Sequence, residues 1–243
     1  LWYLFPRLKE CDMLARYSDE AYFSGGEGNE GYSNYAAQDE TLRKTFRRFL
    51  ARLHLAGYSG GSLLEVGCGF GFLLQEAGNY YSRLAGTDFS AQAAARAGKY
   101  ADEVLVGGIE SLDTTAHFDN IISIGVIEHV YDPHAFIEGL LRHLKKGGNL
   151  VLATPDMGSA WRRLMGRHWP SFKIPEHVTY FDQQSLTRLL HQHGLVSVKR
   201  INFSHAFPLS LVLEKLGLRL GGWLGRLHMW LPATTLALAA KSE

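Results

Sequence analysis

The chain has 243 residues, of which 46% are hydrophobic and 12% aromatic, with 25 Lys and Arg against 24 Asp and Glu. This length suits one α/β domain with modest insertions. The composition excludes a disordered chain, a coiled coil and a collagen-like repeat, because its apolar fraction is that of a packed globular protein. Cys11 and Cys68 form neither a zinc-ligand nor a disulfide pattern, so we expect a reducing, cytoplasmic location.

Charge is distributed unevenly along the chain. Acidic residues outnumber basic residues in the first half, whereas basic residues and most of the histidines lie in the second half. The basic residues are scattered rather than clustered, so no nucleic-acid partner is predicted. The positive second half favours an anionic small-molecule substrate.

The first 60 residues are predicted to form an N-terminal segment that acts as a lid on a domain spanning 61–243. Residues 1–35 show neither the period of a strand nor that of a helix, so they are predicted to be irregular with at most a short helix. From 36 to 56, Leu and Phe recur at helical spacing among Arg and Lys, and Gly57 follows as a stop signal. This pattern predicts an amphipathic helix.

Short apolar runs then alternate with helical stretches. Strands are predicted at 62–66, 83–87, 103–106, 118–124, 148–153, 196–202 and 234–240, and helices at 70–78, 90–99, 133–145 and 183–193. Runs such as LLEV and IISI are apolar on both faces, as strands covered by helices on both sides must be. The fold class is therefore α/β, with a doubly wound, mostly parallel seven-stranded sheet. Stretches 155–180 and 204–232 do not fit the alternation and are predicted to be helical insertions after strands 5 and 6.

The sequence LLEVGCGFG, at 63–71, places a glycine loop between a strand and a helix, so that a ligand can approach the backbone closely. A dinucleotide-binding oxidoreductase would require a further glycine where this chain has Phe72. Glu65 lies two residues before the first glycine, where it would repel a pyrophosphate and attract a cation. The loop therefore favours a positively charged nucleotide-like ligand.

A second acid, Asp88, closes the second predicted strand. A carboxylate at that position can accept hydrogen bonds from both ribose hydroxyls of a nucleoside that lies across the strand ends. Alternatively, Asp88 caps the helix that begins near Ser90.

Together these residues resemble the class I S-adenosylmethionine-dependent methyltransferases. The E-x-G-x-G-x-G loop resembles the family's first motif, and Asp88 matches its ribose-binding acid. GGIESL (107–112), FDNIISIGVIEHVYDP (118–133) and LKKGGNLVLATPD (144–156) match the later strands and loops, so the resemblance covers roughly 60–200. It implies a Rossmann-like methyltransferase fold, S-adenosylmethionine as the cofactor and S-adenosylhomocysteine as the product.

The resemblance also implies the residues of the cofactor site. The GYSNY sequence at 31–35 matches the family's N-terminal helix, where the hydroxyl of Tyr35 or Tyr32 reaches the methionine carboxylate. Backbone groups of Ile109 flank adenine in place of an acid, since Gly108 stands where the family often has one. The cofactor-binding residues predicted in this way are Tyr35, Glu65, Gly67, Cys68, Gly69, Gly71, Asp88, Phe89, Ile109 and Gly125.

The sequence E-H-V-x-D-P at 128–133 resembles a branch that includes ubiquinone-biosynthesis O-methyltransferases and methyltransferases of sugar and secondary metabolism. Some quinone enzymes carry E-x-x-E-H, whose acids and histidine can hold a divalent metal. Here Gly125 replaces the first acid and leaves Glu128 and His129, so no metal site is predicted. His129 and His177 are the candidate bases, with Glu128 beside them. Alternatively, neither histidine is a base: His129 only fixes the loop, and His177 only belongs to a turn.

Two further stretches have more than one interpretation. WRRLMGRHWPSFK (161–173) either binds an anionic group beside a flat substrate or forms a helix with a solvated basic face. The apolar stretch 208–232 covers a hydrophobic acceptor, forms a homodimer interface or lies on a membrane surface. Histidines 134, 143, 191 and 193 lie on predicted helices and are expected to be solvated.

The sequence therefore predicts methyl transfer from S-adenosylmethionine to a small-molecule acceptor, with an oxygen atom favoured over nitrogen or carbon. The competing enzyme class is an NAD(P)-dependent oxidoreductase. The competing non-enzyme class is a scaffold that binds the cofactor and has no acceptor site.

Overall fold

The computed structural model describes residues 1–17, 39–208, 228–231 and 235–243, and a central sheet organises them. In chain order the strands are β1 (Trp2–Tyr3), β2 (Ser62–Val66), β3 (Arg83–Asp88), β4 (Glu103–Val106), β5 (Phe118–Ile124), β6 (Leu144–Pro155), β7 (Thr179–Tyr180), β8 (Leu195–Ile201), β9 (His205–Pro208), β10 (His228–Leu231) and β11 (Thr235–Ser242). The helices are α1 (Glu10–Tyr17), α2 (Asp39–Leu55), α3 (Phe72–Ala77), α4 (Ala91–Ala97), α5 (Pro133–Arg142), α6 (Ala160–Met165) and α7 (Gln183–Gln192).

The main sheet has seven strands in the order β4-β3-β2-β5-β6-β11-β8. Neighbouring strands from β4 to β6 are parallel, whereas β11 runs antiparallel to both β6 and β8. Every strand of this sheet was predicted from the sequence, although β6 begins at Leu144 rather than at 148. The prediction of a doubly wound, mostly parallel seven-stranded sheet is confirmed.

Helices cover both faces of the sheet, which explains why the central strands are apolar on both sides. All five residues of β2 are buried. One core contains α2, α3 and α4 and includes Phe49 and Phe72, and the other contains α5 and α7 and includes Ile137 and Leu186. The burial of each large apolar side chain of this kind stabilises the folded state by about 1.5–3 kcal/mol relative to leaving it exposed.

Helix α2 belongs to the folded core rather than lying loosely over it. Phe46, Phe49, Leu50 and Leu53 are buried at the spacing that predicted an amphipathic helix. Arg43 and Arg47 of the same helix donate hydrogen bonds to the buried carboxylate of Glu76 on α3, both at 2.7 Å. The predicted lid therefore includes a helix that is fixed on the domain by apolar packing and ion pairs. Residues 1–17 of the predicted lid contain β1 and α1, and residues 18–38 lie outside the described residues.

The two predicted insertions have different structures. Within 155–180, α6 is followed by a short 3₁₀ turn and by β7, which pairs antiparallel with β1 near the start of the chain. At the ends of 204–232, β9 and β10 pair with each other, so the prediction of a helix is wrong at these ends, and the stretch between them lies outside the described residues. Of the helices in the described ranges, none combines the length and the hydropathy needed to cross a bilayer.

The topology places the candidate site at one edge of the sheet. The chain proceeds from β2 outward to β3 and β4, and then crosses back to β5 on the other side of β2. Ligands of doubly wound sheets bind at the carboxyl ends of the strands where the order reverses. The loops after β2 and β5 therefore form the crevice, and β3 ends beside it.

Candidate active site

The glycine loop leaves β2 in a conformation that requires glycine. Gly67 and Gly71 have φ angles of 78° and 76°. A Cβ at Gly67 would collide with Val126 on the opposite side of the crevice, and one at Gly71 would lie 2.8 Å from Ala97 Cα on α4. Glycine at these positions lets the loop turn sharply and brings its backbone close to the loop after β5.

Asp88 connects the glycine loop to the end of β3. Its carboxylate accepts a 2.8 Å hydrogen bond from the Gly69 amide and a 2.9 Å bond from the Ser90 amide. The N-cap of α4 is Ser90, whose hydroxyl accepts from the Ala93 amide. The alternative in which Asp88 caps this helix is therefore wrong, and the carboxylate lies at the crevice beside the loop.

Glu65 is buried within β2, directly before the loop. Burial and the neighbouring Asp88 carboxylate raise its pKa well above the ordinary value. Its Oε2 atom has no hydrogen-bond partner among the described residues. Two carboxylates this close, one with a buried unpartnered oxygen, make the edge of the crevice attractive to a cationic group. Cys68 is also buried, and burial raises the pKa of its thiol, so it packs as an apolar residue.

The other predicted cofactor residues surround this edge. Phe89 follows Asp88 and is 41% exposed at the rim. Ile109 is buried in the 3₁₀ turn after β4. Gly125 follows β5 with a φ of 70°, and its amide donates to the Ala153 carbonyl at 2.8 Å. Tyr35 lies outside the described residues. The roles of these residues in cofactor binding stay predictions.

Glu128 lies in the 3₁₀ turn after β5 and is 3% exposed. Thr154, near the end of β6, donates a 2.9 Å hydrogen bond to Glu128 Oε2. Burial raises the pKa of Glu128 to about 7, although the Thr154 hydroxyl opposes this shift. Near neutral pH this carboxyl group can therefore gain or release a proton.

His129 and His177 come from separate segments and meet edge to face, with ring centroids 4.7 Å apart. Nδ1 of His129 lies 3.1 Å from the Glu176 carbonyl, and Nδ1 of His177 lies 2.9 Å from the Ser171 carbonyl. A carbonyl can only accept, so each Nδ1 carries the proton and each Nε2 carries the lone pair. Burial lowers the pKa of His129 to about 4 and that of His177 to about 2. Both imidazoles are therefore neutral at physiological pH.

The side-chain ligand atoms of Glu128, His129 and His177 all lie within 4.8 Å of one another. We call these three residues the triad. The sequence-predicted catalytic residues are thus brought together, although 48 positions separate His129 from His177. Residues 174–176 form the turn that was expected next to His177.

An aromatic wall adjoins the triad. Phe172 contacts Trp169 and Tyr180, with ring centroids 5.2 and 5.5 Å apart, and Tyr180 lies 6.1 Å from the His177 ring. Trp169 Nε1 and the Tyr180 hydroxyl are buried and have no hydrogen-bond partner within the described ranges. Burial and the charge of Glu128 raise the pKa of Tyr180 to about 12, so its hydroxyl is a donor.

Sequence reasoning missed Thr154 and Tyr180 as parts of this site. Thr154 was identifiable as a hydroxyl at the carboxyl end of an otherwise apolar strand. Tyr180 follows His177 closely, but its direction depends on the pairing of β7 with β1. The basic stretch 161–173 includes both exposed and buried parts, and the binding of an anionic group there stays a prediction. Trp169 is buried at 2% exposure, whereas α6 has no buried residue.

The remaining histidines separate into two groups. His134 is exposed and His193 is half-buried, and the two rings lie 2.9 Å apart, from Nδ1 to Nε2. His143 is 5% exposed, and its Nδ1 donates to the Ala116 carbonyl at 2.9 Å. The prediction that His143 is solvated is therefore wrong, because it closes the end of α5 against β5.

Comparison with known proteins gives the family. A family described as a methyltransferase domain matches residues 38–199. A ubiquinone biosynthesis O-methyltransferase of Bradyrhizobium sp. (strain ORS 278) is 30% identical over 122 residues, which are 48% of this chain and 44% of that protein. The corresponding protein of Nitrobacter winogradskyi is 28% identical over 161 residues, 64% of this chain and 57% of that protein. These matches span about half the length of the relatives.

A solved structure supports the fold. The magnesium protoporphyrin IX methyltransferase of Synechocystis PCC 6803, crystallised with bound S-adenosylmethionine, has a TM-score of 0.59 at 14% identity. The alignment covers 99% of this chain and 100% of that chain. The family match contradicts the alternative of an NAD(P)-dependent oxidoreductase. The predicted resemblance to class I methyltransferases is confirmed in family and fold, and the chain belongs to the methyltransferase-domain family.

Proposed function

We propose that this protein transfers a methyl group from S-adenosylmethionine to a hydroxyl oxygen of a small-molecule acceptor. The observation that carries the choice of acceptor atom is the convergence of Glu128, His129 and His177 within 4.8 Å at the crevice. A hydroxyl must lose its proton when its oxygen takes up a methyl group. The triad supplies three groups with lone pairs at one position, and this is where we place the loss of that proton.

The charge at the crevice supports this cofactor. The glycine loop turns sharply beside the end of β3, and we assign the Asp88 carboxylate there to the ribose hydroxyls. The unpartnered Oε2 of Glu65 and the Asp88 carboxylate favour a ligand that carries positive charge. S-adenosylmethionine supplies an activated methyl group on a sulfonium and carries an ammonium group. The main task of the protein is then to align the acceptor oxygen with the methyl group. Such alignment can lower the activation free energy by up to about 7–11 kcal/mol.

The aromatic wall defines the acceptor side. Phe172 and Tyr180 form flat apolar surfaces beside the triad. Trp169 Nε1 and the Tyr180 hydroxyl are donors that lack a partner among the described residues. Buried donors are nearly always satisfied in proteins, so we assign their partner to oxygen atoms of the acceptor. These features support a flat acceptor with at least two oxygen substituents, one of which is methylated. The positive charge of the neighbouring stretch is compatible with an anionic substituent on the same molecule.

Calorimetry with S-adenosylhomocysteine and with NAD(H) tests the cofactor assignment. We expect micromolar binding of S-adenosylhomocysteine and no binding of NAD(H). Transfer is then measured with labelled S-adenosylmethionine against phenols, hydroxylated benzoates and sugars, with amines as the contrasting acceptor class. Methylation of amines alone would contradict an oxygen acceptor. Cofactor binding without transfer to any class would favour the non-catalytic scaffold.

Variants of the triad test its role. His129→Ala and His177→Ala are expected to lower kcat by roughly 10²–10⁴-fold and to leave the affinity for S-adenosylhomocysteine unchanged. His134→Ala removes an exposed histidine away from the triad and is the matched control. Normal turnover in both triad variants would show that the triad takes no part in the reaction.

A further inference from the structure

We infer that a cavity at the edge of the sheet opposite the candidate active site binds a small phosphorylated polyol, such as a sugar phosphate. The cavity has a volume of about 420 Å³ and is lined by the segments 59–61, 119–120 and 145–149. We call it the lysine cavity. Small-molecule sites typically measure about 300–1,000 Å³. The inference does not rest on the proposed function, because binding to this cavity is measured without an acceptor.

The lysine cavity lies away from the cofactor crevice. Strands β2 and β5 run parallel, and the segments 59–61 and 119–120 lie at their amino ends. The glycine loop and the turn that carries Glu128 follow the carboxyl ends of the same two strands. A strand of five residues spans about 16 Å. A ligand in the lysine cavity therefore leaves the crevice accessible to the cofactor.

An irregularity in the pairing of β5 with β6 forms one side of the cavity. Asp119 is the single residue of β5 opposite four residues of β6, 145–148. The first three of these four residues are exposed. A Cβ at Gly148 would lie 2.9 Å from the Asp119 carbonyl oxygen, so glycine lets this bulge close against β5. The bulge brings both Lys145 and Lys146 to the cavity.

The charge of the cavity calls for an anion. Lys145 donates a 2.9 Å hydrogen bond to Asp119 Oδ2, which also accepts from the amide and the hydroxyl of Ser62, both at 2.8 Å. Asp119 therefore neutralises Lys145. Lys146 takes part in no ion pair within the described ranges. Two lysines and one aspartate line the cavity, so one positive charge is left for a ligand.

Two buried asparagines form the floor of the cavity. Asn120 is 1% exposed and Asn149 is 8% exposed. Asn120 Nδ2 donates to the Gly60 carbonyl at 2.6 Å, and its Oδ1 accepts a 2.7 Å hydrogen bond from Asn149 Nδ2. This arrangement fixes both amides and leaves Asn149 Oδ1 without a donor among the described residues. Buried acceptors are nearly always satisfied in proteins, so we assign the missing donor to a hydroxyl group of the ligand.

The lining of the cavity narrows the class of ligand. Its residues are serine, aspartate, asparagine, lysine and glycine, so it offers neither an aromatic surface for a nucleobase nor an apolar one for a lipid. Two neighbouring ammonium groups suit a phosphate, whose charge of about −1.5 to −2 at pH 7 exceeds that of a carboxylate. A ligand with a phosphate for Lys146, a hydroxyl for Asn149 and no apolar part is a phosphorylated polyol.

The test is calorimetric titration of the whole chain, in a phosphate-free buffer of low ionic strength, with glucose 6-phosphate, glycerol 3-phosphate, inorganic phosphate and glucose. We expect one binding site per chain for the two phosphate esters, at least about tenfold weaker binding of inorganic phosphate and no binding of glucose. Lys146→Ala should weaken binding of the esters more than about tenfold, and Lys146→Arg should retain it. Lys99→Ala, which removes an exposed lysine after α4, is the control and should bind as the wild type does.

A second measurement locates the ligand. The ester titration is repeated with the protein saturated with S-adenosylhomocysteine, and the affinity should stay the same. Loss of ester binding under this condition would place the ester in the cofactor crevice and overturn the inference. No saturable ester binding, or unchanged binding in Lys146→Ala, would also overturn it. Equal affinity for inorganic phosphate would refute the assignment of a polyol. Absence of methyl transfer to every acceptor would contradict the proposed function and leave ester binding unaffected.

Discussion

Thr154 donates a 2.9 Å hydrogen bond to the buried carboxyl group of Glu128, although the two residues belong to different segments of the chain. On β3, the equally buried Thr87 hydroxyl has no hydrogen-bond partner in the described part of the chain. The two threonines therefore provide a matched pair for measuring what the hydrogen bond from Thr154 to Glu128 contributes to the free energy of unfolding.

Thr154→Val should lower the free energy of unfolding by about 1–3 kcal/mol, because it leaves a buried carboxyl oxygen without its donor. Thr87→Val should leave the free energy of unfolding unchanged or increase it, since it removes a hydroxyl that lacks a partner. Urea denaturation of both variants measures the difference. Equal destabilisation would show that loss of the hydroxyl at 154 acts only through packing.

Asp88→Ala should weaken binding of S-adenosylhomocysteine by about a hundredfold. This loss corresponds to about 3 kcal/mol, the contribution of two hydrogen bonds from ribose hydroxyls to a carboxylate. Calorimetry measures the affinity, and Asp113→Ala, at an exposed turn after Leu112, is the control. An unchanged affinity would refute the assignment of Asp88 to the ribose.

Trp169→Phe keeps an aromatic ring in the wall and removes the buried N–H that lacks a partner among the described residues. The free energy of unfolding should fall only by the cost of the cavity that the smaller ring leaves, about 1–3 kcal/mol, whereas kcat/KM for a hydroxyl acceptor should fall roughly threefold to tenfold, mainly through KM. Trp161→Phe changes a tryptophan that is 40% exposed and serves as the control. A loss of stability with unchanged kinetics would mean that the Trp169 N–H has no contact with the acceptor.

Asp119 should make the free energy of unfolding depend on pH under acidic conditions. Hydrogen bonds from the Ser62 amide and hydroxyl, together with Lys145, lower the pKa of Asp119 to about 2. A carboxyl group whose pKa is lower in the folded state adds stability above its unfolded pKa of about 3.9 and loses it as pH falls toward 2. Asp119→Asn should therefore be less stable than the wild type at pH 7, and the two should converge only as the pH falls to about 2. A difference in midpoint urea concentration that is constant with pH would contradict this expectation.

The central sheet was predictable because each of its strands leaves a local signal. The two apolar faces of β2, the glycines at 67, 69 and 71 and the acid at 88 all lie close together in the sequence. The pairing of β1 with β7 has no such signal, since each of these strands contains two residues and their contact joins distant parts of the chain. The meeting of His129 with His177 depends on that region. The candidate residues were therefore predictable one by one, but their assembly into one cluster was not.

The burial of Trp169 was equally hard to predict. It lies in a run of basic residues typical of a solvated helix, and that helix ends at Met165. The chain then turns inward, and Trp169 packs with Phe172 and Tyr180. The end of α6 is marked by Gly166, whose φ of 55° suits glycine. A glycine stop inside a basic stretch was the available signal.

Strand β11 lies between β6 and β8, and it pairs with both of them. During synthesis on the ribosome, β8 therefore emerges before the strand that joins it to the rest of the sheet. The Rossmann-like half formed by β2 to β6 can be translated completely while β8 still lacks its neighbour. The seven-stranded sheet is thus complete only when residues 235–242 insert between two strands made earlier.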